Sequence, residues 1–112
     1  MNAHDRWLKR TPLHYAADEG HARFVELLLD YGADVSLADA NERTAFHIAA
    51  MRADEATMKL LIASVKEGDR LKALINAPDK FSLTPAFLAH QARGADHGAF
   101  ILLLTNGAHW DD

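Results

Sequence analysis

The sequence contains no cysteine among its 112 residues. Thiolate zinc sites, Cys-x-x-Cys redox chemistry and a cysteine nucleophile are thereby excluded, and an intracellular address, cytoplasmic or nuclear, is the expectation. Long apolar runs are missing too. The longest, Ala99 to Leu104, is far short of the ~20 residues a membrane-spanning helix needs, and the first thirty residues hold no signal-peptide core. A soluble chain without a membrane partner is therefore expected. Nor is there a basic stripe: residues 1–10 carry +2, residues 11–40 carry −5 and the remainder −1 of a net charge of −4. Bases alternate with acids, so no face can neutralise a run of phosphates, and no nucleic-acid partner is expected.

What is present is ordinary globular composition, 49% apolar and 25% charged. A chain of this length buries roughly 65% of the surface exposed by its unfolded state, enough for a single domain over residues 1–112 without a metal or disulfide.

Self-similarity organises it. Thr11-Pro12-Leu13-His14-Tyr15-Ala16-Ala17 recurs 33 residues later as Thr44-Ala45-Phe46-His47-Ile48-Ala49-Ala50, and after 40 more as Thr84-Pro85-Ala86-Phe87-Leu88-Ala89-His90. Downstream, Leu28-Leu29 returns as Leu61-Ile62 and Leu103-Leu104, and Gly32-Ala33-Asp34 has a partner in Gly107-Ala108-His109. Each copy reads as two short helices and an extended loop. Thr11 and Thr84 can cap a first helix whose opening position is proline, where the missing N–H costs nothing. A second helix, near Arg23 to Tyr31, lines up Phe24, Val25, Leu28 and Leu29 on one face, points Glu26 and Asp30 outward and stops at Gly32. One such unit cannot bury that face alone, whereas stacked neighbours can.

Thr11-Pro12-Leu13-His14, Gly20-His21, Val25, Leu28-Leu29 and Gly32-Ala33-Asp34-Val35 resemble an ankyrin repeat. The second copy departs from the pattern at Ala45, Ala53-Asp54 and Val65, while its Ile75-Asn76-Ala77-Pro78-Asp79 is similar to the end of an ankyrin hairpin loop. The third lacks the Thr-Pro-Leu-His ending and needs about two extra residues around Gly94. The resemblance implies an all-α solenoid of antiparallel helix pairs joined by β-hairpin-like loops. Its three repeats fall at about 5–38, 39–78 and 79–112, with seven extra residues inserted near 66–74. In that insertion Asp69 can cap a short turn of helix before Leu71 and Leu74, and tolerated surface drift is the expectation.

Seven histidines invite a metal or catalytic reading. The resemblance gives His14 and His47 a structural place in the loop and helix start, and His21 one after the first helix. His90, Asp96 and His97 are the least explained, but a break at Arg93-Gly94 separates them, and no zinc-binding motif is present. Phosphate-cradling and nucleophile-elbow motifs are missing, and Asp18-Glu19, Asp54-Glu55 and Asp111-Asp112 read as solvated surface. No residue is assigned to catalysis, a cofactor or a metal, and the chain is not expected to be an enzyme.

The resemblance places loop tips at Arg6 to Arg10, Asp39 to Arg43 and Asp79 to Leu83. Loops usually carry Gly, Asn, Asp and Ser, yet these hold Trp7-Leu8, Phe81 and Leu83, and Lys9, Glu42 or Ser82 stands where the family has its tip glycine. The expected function is binding of a partner protein or peptide on the concave surface of loop tips and first helices, with Trp7, Leu8, Phe81 and Leu83 as apolar anchors. Arg10, Arg43, Arg52 and Lys80 supply a rim selecting acidic groups, and family correspondence adds Asp18, Asn41, Met51 and Gln91. The alternative is an assembly role. Ile101 replaces the polar Glu26 and Lys59 of the earlier copies, so Phe100, Ile101 and Trp110 form an apolar end suited to self-association or docking within a larger protein.

Overall fold

Thr11, Thr44 and Thr84 each hold an extended backbone, and each is followed directly by a helix. The computed structural model describes residues 9–92 and 98–108. In chain order its helices are α1 (Pro12–Asp18), α2 (Ala22–Asp30), α3 (Ala45–Met51), α4 (Glu55–Ser64), α5 (Gly68–Ile75), α6 (Pro85–Gln91) and α7 (Gly98–Thr105). Thr11 Oγ1 accepts the His14 amide at 3.3 Å, and Thr84 Oγ1 accepts the Phe87 amide at the same distance. One of the orphan N–H groups at the helix start is thus satisfied in each case.

The helices form two layers. α1, α3 and α6 pack side by side in one, and α2, α4 and α7 stack behind them in the other. Because α3 lies between two repeats, every residue from Ala45 to Ala50 is buried, and Phe46, Ile48, Met58, Leu61, Ile75 and Leu103 are the large side chains of a continuous core. Alanines in the first helices let the layers approach closely. The described residues thus form an all-α solenoid of stacked helix pairs, the architecture that the resemblance implies, and its loops are hairpin turns in which no strand forms among the described residues.

Helix ends repeat as faithfully as helix starts. The His21 amide donates to the Ala16 carbonyl at 3.1 Å around Gly20, and one repeat later Asp54 donates to Ala49 at 3.1 Å around Ala53. These are Schellman turns, whose central residue is left-handed. Gly20 suits that conformation at φ +71°, whereas Ala53 is held in it at φ +53°.

Several expectations are corrected. α2 runs from Ala22 to Asp30, and Phe24 on it is exposed, because Val25 with Leu28 and Leu29 carries the packed face. Asp54 is no mere surface charge: it caps α4, accepting the Thr57 amide at 3.2 Å and the Thr57 hydroxyl at 2.7 Å. The insertion is a full helix, α5, with Leu71 and Ile75 buried. Glu67 takes the position before its first turn and Asp69 lies within that turn, so Asp69 does not cap it.

Candidate functional site

The loop tips are built around two buried carboxylates. Asp39 Oδ1 accepts the amides of Asn41 and Arg43 at 2.8 and 3.1 Å, and Asp79 Oδ1 accepts those of Phe81 and Leu83 at 2.8 and 2.9 Å. Backbone bonds close each turn: Asp39 N–H donates to the Arg43 carbonyl at 3.0 Å, and Asp79 N–H to that of Leu83 at 2.8 Å. Glu42 and Ser82 are left-handed at φ +59° and +66°, as is Lys9 in the first loop at +56°. These are the positions where the sequence lacks the usual tip glycine. The carboxylate bonds, which only the folded loop provides, hold the strained backbone in place.

Each carboxylate also grips the preceding loop. Asp39 Oδ2 accepts Arg10 Nε at 3.3 Å, and Asp79 Oδ2 accepts Arg43 Nε at 3.0 Å. Arg10 further donates from Nη1 to Asp18 at 3.1 Å and lies over the Tyr15 ring, while Arg43 lies over the Phe81 ring, 5.8 Å from its centroid. Burial pushes the Asp79 carboxyl up, but the Leu83 amide, Arg43 and the Phe81 amide together outweigh it and hold the group below the ordinary carboxylate value.

The histidines join the same junctions. His14 Nδ1 accepts the Thr11 amide at 3.0 Å and Nε2 donates to the Arg43 carbonyl at 2.8 Å, which makes the ring neutral with its proton on Nε2. His47 Nδ1 accepts the Thr44 amide at 3.1 Å, while its buried Nε2 faces the Ala77 and Leu83 backbone without a well-formed hydrogen bond. Burial lowers the pKa of both imidazoles.

Of the anchors read from sequence, Phe81 stands out from its tip with 59% of its surface exposed, whereas Leu83 is half-buried against the core. Met51 is 43% exposed and Gln91 is exposed, while Asp18 and Asn41 are half-buried. Arg52 and Lys80 are exposed, and the Lys80 amide donates to the Asn41 carbonyl at 2.8 Å, tying the second and third tips together. Arg10 and Arg43 differ from a free rim, since each is committed to carboxylates of its own chain. Phe100 packs on the core with its ring 5.1 Å from that of His90, and Ile101 is exposed. Trp7, Leu8, Asp96, His97 and Trp110 lie outside the described residues. Among the described residues no group of three or more acids and histidines could hold a metal ion, and no helix is long and apolar enough to cross a membrane.

Asp39 and Asp79 escaped the sequence reading. The signal was present: each stands five residues before the helix-capping threonine, in the two loops that join one repeat to the next.

Comparison with known proteins decides the family, because the model of ankyrin repeats, in three copies, matches residues 13–112. The chain belongs to the ankyrin repeat family. An ankyrin repeat protein of fowlpox virus (strain NVSL) is 35% identical over 107 residues, which are 96% of this chain and 14% of the viral protein. Transient receptor potential cation channel subfamily V member 5 of Mus musculus is 36% identical over 81 residues, 70% of this chain and 11% of the channel. The chain therefore spans only a small part of these relatives. The crystal structure of the human ASB11 ankyrin repeat domain superposes with a TM-score of 0.73 at 26% identity, covering 89% of this chain and 41% of that one. Ankyrin repeats are in general protein–protein interaction modules.

Proposed function

We propose that this ankyrin stack binds a partner protein or peptide through its concave surface, with Phe81 and Met51 as central apolar contacts and Arg52 and Lys80 as a polar rim. The observation that carries this reading is Phe81: an aromatic ring 59% exposed, on a turn whose backbone is fixed by two bonds to Asp79 and whose ring is backed by Arg43. A rigidly presented aromatic loses little conformational entropy on binding, which is what a hot spot requires. Trp7 and Leu8 extend the anchor set from the first tip, and Asp18, Asn41 and Gln91 complete the surface. Arg10, Arg43 and Leu83 support it from beneath by holding the tips in register. An intracellular setting accords with the lack of cysteine.

The test is selection of peptides against the intact chain from a displayed random library, followed by affinity measurement on folded variants. Phe81→Ala and Met51→Ala are expected to weaken selected ligands, Phe81→Ala by about 2 kcal/mol, roughly thirtyfold. Ligands that bind both variants as tightly as the parent overturn the concave-surface reading.

A further inference from the structure

Phe24, Leu27 and Tyr31 follow one side of α2, with 48%, 44% and 88% of their surfaces exposed. Spacings of three and four residues put them in a single stripe about 10 Å long. In the register of the repeats Phe24 corresponds to Thr57 of α4 and Ala99 of α7, both buried, and Tyr31 to Ser64 and Asn106. Position explains the difference in burial: α4 packs on α2 and α7 on α4, whereas among the described residues no helix stands in front of α2. Beside the stripe, Pro12, Leu13, Leu28 and Leu37 wall a groove of ≈220 Å³. Leu28 is one turn from both Phe24 and Tyr31, so stripe and groove form one surface. Leu37, 48% exposed, stands two residues before Asp39 as the smaller Ala77 stands before Asp79. Large apolar groups thus occupy, in the first repeat alone, positions that are small or polar in the others.

The charge around this surface is acidic. Glu26 and Asp30 follow the edge of the stripe, Asp34 lines the groove, and Arg23 is the single base on α2. His21 pairs with Glu19 at 3.2 Å, and Arg70 approaches Asp34 at 3.7 Å. The counterparts of Glu26 and Asp30 in the second repeat are Lys59 and Ala63, so the acidic edge is also particular to the first repeat.

We propose that this face of α2 is a second interaction surface, which takes a basic amphipathic helix of a partner protein. Apolar side chains one helical turn apart lie along Phe24, Leu27 and Tyr31, one of them fills the groove beside Leu37, and flanking lysines or arginines meet Glu26, Asp30 and Asp34. A further repeat stacked like the others does not fit, because Phe24 stands where close approach uses the small Thr57 and Ala99. A second copy in a two-fold contact would set one acidic edge against another, and an anionic lipid surface meets the same repulsion. The concave surface, with Arg52 and Lys80 exposed at its rim, carries the opposite sign, so the two surfaces suit different ligands.

The test pans the full chain against a displayed library of helical peptides about five turns long, with leucine fixed along one face and the other positions randomised among Lys, Glu, Gln and Ser. Selected peptides are expected to be rich in lysine, and their affinity to fall severalfold as salt is raised from about 0.05 to 0.3 M. Phe24→Thr, Tyr31→Ser and Leu37→Ala install the second repeat's own residues, and together they weaken the selected peptides about tenfold or more while helical circular dichroism is retained. Glu26→Lys with Asp30→Ala, drawn from the same repeat, leaves the apolar stripe in place and removes the preference for lysine; this pair decides the matter should the first variant unfold. Failure to select any binder overturns the proposal. So do selected peptides that are neutral or acidic, that bind both variants as tightly as the parent, or that are lost only in Phe81→Ala. Concentration-dependent association of the parent that the first variant abolishes also overturns it, assigning the face to a second copy.

Discussion

Arg43 donates from Nε to Asp79 Oδ2 at 3.0 Å across the junction of the second and third loops, and Arg10 makes the same bond to Asp39 at 3.3 Å one repeat earlier. Both carboxylates are buried, and each also organises its own turn, so one side chain sets the shape of a tip and its position on the neighbouring tip. Asp79→Ala leaves Arg43 and two loop amides without their acceptor and is expected to cost about 3 kcal/mol in urea unfolding. Arg43→Leu costs less, because Asp79 keeps its two amide donors. Equal losses for the two variants would mean that the ion pair alone holds the junction.

Acid acts on the same junctions. Burial lowers the pKa of His14 and His47 from the ordinary 6.5, so below that value the unfolded chain binds protons that the folded chain refuses. Their contribution to stability is complete above about pH 6.5 and is lost as pH falls through the lowered folded values. Asp79, also held low, adds a second loss only below the ordinary carboxylate value of 3.8. The urea midpoint is expected to fall between about pH 7.5 and 5 and to fall less steeply in a His14→Gln, His47→Gln double variant. A parent midpoint that stays level across that range contradicts the burial of neutral imidazoles.

Ala53 occupies the turn position that Gly20 fills one repeat earlier, at φ +53° against +71°. A left-handed alanine is strained by its Cβ, so Ala53→Gly is expected to stabilise the chain by up to about 1 kcal/mol, and Gly20→Ala to destabilise it by a similar amount. Thermal unfolding of the two variants checks the sign. Destabilisation by Ala53→Gly would show that the Cβ contributes packing worth more than the strain.

Helix α5 contributes Leu71 from within the insertion, and Ile75 just after it, to the core, so the inserted segment is packed structure and not surface drift. Ile75→Ala is expected to cost about 2–4 kcal/mol, in the range for a fully buried large-to-small change. Phe81→Ala, at an exposed tip, is expected to stay within about 0.5 kcal/mol of the parent. If the two variants unfold at the same urea concentration, the assignment of one to the core and the other to the surface fails.

The repeat spacing, the Thr-Pro starts, the helix-ending glycines and the paired branched residues are local signals, and local backbone preferences together with helical periodicity carried them from sequence to an all-α stack. By itself the sequence determined that there are three units, where their first helices start, and that those first helices are small and apolar. Tertiary structure decided what depends on contacts between residues far apart in the chain. Asp79 gives no sign in isolation that it is buried, because its burial follows from Arg43, 36 residues away, arriving to neutralise it. Arg43 reads from sequence as a free cation for the same reason. Phe81 and Leu83, two apolar residues in one loop, part company only when the turn around Asp79 sends one to solvent and the other onto the core. Periodicity cannot see that division, which is set by the carboxylate's bonds to both amides and by the packing of the loop on the repeat before it.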